Sequence, residues 1–369
     1  MRQELRVSAW VSGLLVALFA VILVSAAMGP VRIDPLTVAK ILLEHTLVVP
    51  SDVSLQLQSA SIPFLNAGVP VPNIDVSVRP LLAFDVPATS ETIVFKLRLP
   101  RILLGAVVGF ALAAAGTVMQ GFFRNPMADP SIVGVSSGAA LGAVATIAFP
   151  LAIPFGLQAA AFAGALVTAF AVYVLATENG RTPVATLLLA GVAVQTFLGA
   201  VISYTLLQSG DGLREAVFWL MGHLHASTWA SVTVTIPFVG LGVAILFAYT
   251  SDLNILLMGE EDAHSLGVEV ERTKRILLAV ASIVTAAAVA VSGVIGFVGL
   301  IVPHVMRLLV GPDHRILLPT SAIAGSVFLV ATDTVARAGA AELPVGIVTA
   351  ALGAPFFLYL LRRREVHRL

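Results

Sequence analysis

Long apolar runs, each closed by glycine, proline or charge, recur along most of the chain. The first follows Arg2 and Arg6 and covers Val7–Met28. After an interruption, runs lie at Ile102–Phe122, Val133–Phe149, Phe155–Leu175, Leu187–Leu206, Val232–Tyr249 and Ile276–Ser292. Three more lie at Phe297–Val310, Ile316–Val335 and Val345–Leu361. Each is near the roughly twenty residues that cross a bilayer core of roughly 30 Å as a helix. The pattern predicts an all-α polytopic membrane protein with about ten transmembrane helices. Phe297–Val310 is short and holds Pro303, so its ends are the least sharply drawn. Ser25-Ala26-Ala27 imitates the small residues of a signal-peptide site, but the length of the first run favours a retained span.

Residues 31–96 break the pattern. Prolines at 35, 50, 63, 70, 72, 80 and 87 interrupt them, and stretches such as Asp75-Val76-Ser77-Val78 alternate as short strands do. No part of this region can span, so it reads as a long extracytoplasmic loop with a small ordered cap. The chain thus divides into residues 1–30 (the N-terminus and first span), 31–96, and a core of nine further spans over 97–369. No internal repeat is evident.

Charge sets the orientation. Arg2 and Arg6 place the N-terminus in the cytoplasm, and an even number of spans returns Arg362, Arg363, Arg364 and Arg368 to the same side. Glu178–Thr182 and the segment 252–275 then also face inward. Arg98, Arg101 and Arg337 land outside, against the positive-inside tendency. They suit an external docking ring for an acidic protein surface, or they snorkel to lipid headgroups, and Arg337 also lies one turn after Asp333 and can pair within its own helix.

Composition sharpens this picture. The chain is 58% hydrophobic and 11% charged, with a mean hydropathy of +0.98. That charge fraction is well below the roughly 25% of soluble domains. Lysine plus arginine equals aspartate plus glutamate at 21 each, which points to no nucleic-acid partner, and the absence of cysteine excludes thiol chemistry. There is no P-loop, nucleophile elbow or zincin motif, so no catalytic residue and no metal site is expected, and any energy must come from a partner or an ion gradient.

Five constellations remain. Gly105, Gly109, Ala113 and Thr117 give the second span a small face suited to close helix packing. In the 252–275 segment, Glu260, Glu261 and Asp262 follow Gly259 at the start of a short helix that Leu266 and Gly267 close, a peg-like shape or else a solvated loop. In the run SGVIGFVGLIVPHVMRLL, His304 and Arg307 share a helix face and read best as a buried tie between helices. Gly191, Gln195, Gly199 and Ser203 draw a small and polar strip along the fifth span that lines either a path or a helix interface, with a path preferred; Gly346, Ala350, Gly353 and Phe357 form a similar face on the last span. His223 and His225 sit in a loop near the outer ends of spans five and six, either as ligand contacts or as ordinary surface histidines.

Together, RLPR at 98–101, the NPMADP turn at 125–130 with GVSSGA after it, LLLAGV, FWLMG, LMGEEDAHSLG, SGVIGFVGLIVPHVMR and AELPVGIVTAALGAPFF resemble the FecCD-type permeases of ABC importers. The resemblance implies a homodimer with ten spans per subunit and a central path, two cytoplasmic ATPase subunits that hold ATP and Mg, and an external, periplasmic or extracellular, substrate-binding protein. This chain itself would hold no cofactor, sit in the cell (inner) membrane, and move a ferric siderophore first, haem second, cobalamin third. By the same likeness Arg98, Arg101 and Arg337 dock the binding protein. Gly259, Glu260, Glu261, Ala263, Leu266 and Gly267 form the coupling helix against the ATPase. Asn125, Met127, Val184 and Ala185 narrow the inner end of a path lined by Gly191, Gln195, Gly199 and Ser203. Two features depart from the family pattern: the length of residues 31–96, and Val184-Ala185 where a cobalamin-type member has small hydroxyl residues. The alternative from another class, an ion-coupled secondary transporter, needs an ionisable site at mid-depth.

Overall fold

The computed structural model describes residues 2–29, 31–46, 48–61, 68–80, 82, 84–149, 156–339 and 342–363. Helix α1 (Arg2–Ala27) is followed by α2 (Pro35–Thr46) and an antiparallel hairpin of β1 (Val48–Ser61) and β2 (Gly68–Pro80). The short α3 (Ala88–Glu91) and a π-helical turn, Thr92–Arg98, run straight into α4 (Leu99–Phe122). Then come α5 (Val135–Ala148), α6 (Gly156–Ala176), α7 (Val184–Gln208), the short α8 (Leu213–Leu220) and α9 (Trp229–Ala248). The chain ends with α10 (Thr250–Leu256), α11 (Glu260–Ser265), α12 (Val270–Ser292), α13 (Val298–Val310), α14 (His314–Ala336) and α15 (Val345–Arg363). Seven helical segments are long and apolar enough to cross a membrane, and Val135–Ala148, Val298–Val310 and Val345–Tyr359 are shorter apolar helices. Each of the ten apolar runs in the sequence corresponds to one of these.

The irregular region between the first two spans is more ordered than its prolines suggest. It holds α2 and a hairpin that pairs Val48 with Pro80 and Ser61 with Gly68, with a register shift between Pro50 and Asp52. A two-stranded ribbon has an open edge on both sides, the setting that tolerates proline in a strand.

Helix α4 is the axis of the bundle. It packs against α9, α12, α13 and α14, and most of its residues are buried. The small face read from the sequence is what permits this. A Cβ on Gly109 would lie 2.3 Å from the Gly325 carbonyl oxygen, and one on Gly325 would lie 2.3 Å from that of Gly109. Such backbone-to-backbone approach between α4 and α14 has room for hydrogen only. Gly109→Val should therefore destabilise the protein by about 1–3 kcal/mol through overpacking. Gly199→Ala, with nothing within 4 Å of the new methyl, should leave it unchanged or slightly more stable; thermal unfolding in detergent separates the two.

Between α12 and α13 the chain leaves helical geometry over residues 293–297, and Phe297 takes a left-handed φ of 69°. Its ring sits against Gly353 of α15, so α13 begins partway along the bundle instead of at its rim. This accounts for the short eighth run. Buried Arg307 of α13 donates to Gln120 Oε1 of α4 at 2.8 Å, and Gln120 Nε2 donates to the Leu300 carbonyl at 3.1 Å. With buried His304 one turn earlier, this is the tie between helices expected from the sequence.

Candidate functional site

The features that bear on function lie at the two ends of α4. At its start, three arginines converge. Arg101 places Nη2 2.8 Å from Asp333 Oδ1 and Nε 3.1 Å from both carboxylate oxygens, and its other arm meets Glu342. Arg337 Nε donates to Asp333 Oδ2 at 3.0 Å, and its Nη2 donates to Ser25 Oγ at 2.7 Å. Arg98 donates to the carbonyls of Ala26, at 2.6 Å, and Val31. It therefore satisfies acceptors at the C-terminus of α1, the end where a helix favours a cation. Arg98, Arg101 and Asp333 are buried and the Arg337 side chain is nearly so. The sequence reading of an exposed cationic ring is thus met by a network folded inward, which joins α1, α4, α14 and the segment before α15. Two carboxylates offset two of the three charges, and backbone carbonyls of Ala26 and Val31 satisfy Arg98.

At the other end of α4 the NPMADP turn reverses the chain. Asn125 Oδ1 accepts the Met127 N–H at 2.9 Å, and Asp129 caps the following 3-10 turn through Ser131 N–H at 2.8 Å. Asn125 and Met127 are both exposed. Beside them a cavity of about 500 Å³ is lined by Phe122, Arg124, Val184, Ala185, Glu260 and Lys274, among others. The structure therefore brings the Val184–Ala185 pair and the first residue of α11 to one cavity.

Helix α11 forms as its sequence predicts. Gly259 enters it at φ 141°, a backbone region that side chains disfavour. It is closed by paired bonds from Gly267 N–H to the His264 carbonyl and from Val268 N–H to the Ala263 carbonyl, both 3.0 Å, with Gly267 at φ 87°. That is a Schellman cap, which glycine at the C′ position permits. Ala263 and Val268 are buried and fix the helix to the bundle, while Glu260, Glu261 and Asp262 point outward. Apolar Met258 and Leu266 flank them at 67% and 60% exposure. The base is held by buried Lys274, whose ammonium meets Glu260 at 3.2 Å and Glu271 at 3.0 Å, while Glu271 accepts the Thr182 N–H at 3.2 Å. The result is a rigid peg with a mixed acidic and apolar tip.

Helix α7 divides the strip seen in the sequence. Gly191 is buried, with room for no Cβ beside the Ile132 carbonyl, to which Gln195 Nε2 donates at 2.9 Å. Gly199 borders open space, and Ser203 is exposed. One half is a helix interface and the other faces outward. On α15, Gly346 packs on the Met221 carbonyl and Gly353 on Phe297, so that small face is an interface.

Residues 14–363 match the FecCD transport family. The chain belongs to that family. It is 59% identical over 364 residues to the cobalamin import system permease protein BtuC of Halobacterium salinarum, covering 99% of this chain and 98% of that protein. It is 42% identical over 281 residues to the hemin transport system permease protein HmuU of Yersinia pestis, covering 74% and 84%. Its fold matches a metal-chelate type ABC transporter solved in an inward-facing conformation, with a TM-score of 0.77, 29% identity, and coverage of 96% and 98%.

Several functional groups of this FecCD chain were not marked as such by its sequence. Glu342 and Ser25 complete the arginine network from distant segments, and Lys274 anchors α11. Asn254 joins α10 to α14, accepting from the His314 N–H at 2.9 Å and donating to Asp313 at 2.7 Å. Local spacing signalled the Asp333–Arg337 pair, four residues apart, and the Glu271–Lys274 pair, three apart.

Proposed function

We propose that this chain is the membrane permease subunit of an ATP-driven importer for a large metal chelate, and that its cargo is cobalamin. The full-length match to the Halobacterium protein supports this reading, because residues 31–96, which depart from the usual family pattern, fall within it. That weight moves cobalamin ahead of ferric siderophore and haem, against the slight counterweight of Val184 and Ala185. Two copies enclose the path, with the outward half of α7 toward it. Helix α11 engages one of two cytoplasmic ATPase subunits that hold ATP and Mg, and a substrate-binding protein docks at the arginine end. Both termini lie in the cytoplasm, the hairpin lies outside, and the protein resides in the cell (inner) membrane.

In this mechanism the chain contributes no chemistry. Closure of the ATPase pair moves α11, Lys274 passes that motion to α12, and the helices exchange between two packings. An exposed α11 whose first residue is held to α12 by the Lys274–Glu260 contact, with Lys274 steadied within α12 by Glu271, supports this route. The test is uptake by proteoliposomes holding the complete transporter. Labelled cyanocobalamin should accumulate with ATP and its binding protein present, and a tenfold excess of ferric siderophore or haemin should not compete. Equal competition, or uptake without ATP, would overturn the reading.

A further inference from the structure

The loop between α8 and α9 carries two imidazoles in a defined arrangement. His223 Nδ1 lies 3.0 Å from His225 Nδ1, the rings are 4.4 Å apart, and Phe218 flanks both at 5.1 and 4.9 Å. The backbone beneath them is pinned: His223 N–H donates to the Ser292 carbonyl at 2.7 Å, Gly346 N–H to the Gly222 carbonyl at 3.2 Å, and Leu224 is buried. Both rings line a cavity of about 590 Å³ between α6, α8, α9 and α12, which Asp211, Arg214 and Glu215 also line.

That nitrogen separation suits a metal. Two ligands at a metal–nitrogen distance of about 2.1 Å and mutually cis at 90° sit roughly 3.0 Å apart. Tetragonal and octahedral ions such as Cu²⁺ and Ni²⁺ offer such cis pairs, and imidazole suits them. We propose that His223 and His225 form a bidentate site for a transition-metal centre with two open cis positions, facing the cavity. The proton now shared between the two Nδ1 atoms shifts to Nε2 of its own ring, so the neutral tautomer ligates without net proton release. The metal can arrive as a free ion or in an open chelate of the nitrilotriacetate kind; the cobalt of cobalamin, ringed by its macrocycle, offers no two cis positions, so the site stands apart from the transport reading above.

The experiment uses the full-length chain in nanodiscs, with no polyhistidine tag, titrated calorimetrically with nickel chloride and separately with nickel nitrilotriacetate. The latter presents two open cis positions on a metal already in a chelate. We expect one site per chain for each probe, with His223→Gln and His225→Gln each weakening both at least tenfold. The glutamine variants keep ring-sized polar bulk, and an unchanged elution volume checks their fold. Binding of nickel chloride alone would support the metal site and overturn its use by a chelate. Equal affinity of the double variant and the wild type would overturn the site, whatever the transporter carries.

Discussion

Asp333→Ala should destabilise the protein by about 3–5 kcal/mol, the usual cost of removing one partner from a buried ion pair and leaving the other charge uncompensated. Arg337 loses its carboxylate, and Arg101 loses the buried one of its two. Arg101 bonds both oxygens of that carboxylate, Arg337 bonds one, and all three side chains are largely excluded from solvent. Glu342 is a useful contrast, because its side chain is 47% exposed and an exposed pair is worth about 0–1 kcal/mol. Glu342→Gln should therefore shift thermal unfolding in detergent far less than Asp333→Ala. Equal shifts would mean that the network is not centred on Asp333. The same geometry bears on docking. Reversing Arg101 or Arg337 would break the subunit's own packing, so loss of binding-protein association in such variants does not by itself identify a docking contact. Glu342→Lys, at the exposed edge, alters the surface charge while Asp333 still holds both arginines.

Charge reversal at the tip of α11, Glu261→Lys with Asp262→Lys, should lower ATP-driven uptake at least tenfold and leave the fold intact. Neither residue shares in the Lys274 cluster, whereas Glu260 does. Reversing Glu260 would set a second ammonium beside buried Lys274 and confuse uncoupling with local unfolding. A buried charge pair at an interface is sensitive to reversal because attraction turns into like-charge repulsion, a change of several kcal/mol. Basal ATPase activity of the separate partner should be unaffected, so the signature is lost stimulation and lost uptake with normal assembly yield. Wild-type uptake in this variant would remove α11 from the coupling route.

The elements were legible where their causes are local. Ten apolar runs became ten helices because run length alone decides spanning, and α11 was readable because Gly259, the three acids and Gly267 lie within nine residues of one another. The arginine network was not, since Asp333 and Glu342 stand 232 and 241 positions from Arg101. The α7 strip divides between packed and open positions for a geometric reason. Four-residue steps on a helix of 3.6 residues per turn drift by roughly 40° each, so three steps from Gly191 to Ser203 rotate roughly 120°. A row that begins against Ile132 therefore ends in the open. In residues 31–96 the prolines outweighed the alternation, although Pro50, Pro70, Pro72 and Pro80 all lie within the two strands.

The central claim is that a partner ATPase seats on α11. The chain contains no cysteine, so a single introduced thiol reports one place. Leu266→Cys, beside the acidic tip, and Leu82→Cys, exposed before α3, should both react rapidly with a maleimide in the isolated chain in nanodiscs. On assembly with the ATPase, Leu266→Cys should be protected at least tenfold while Leu82→Cys stays reactive. Unchanged labelling at position 266, or protection at position 82 instead, would contradict it.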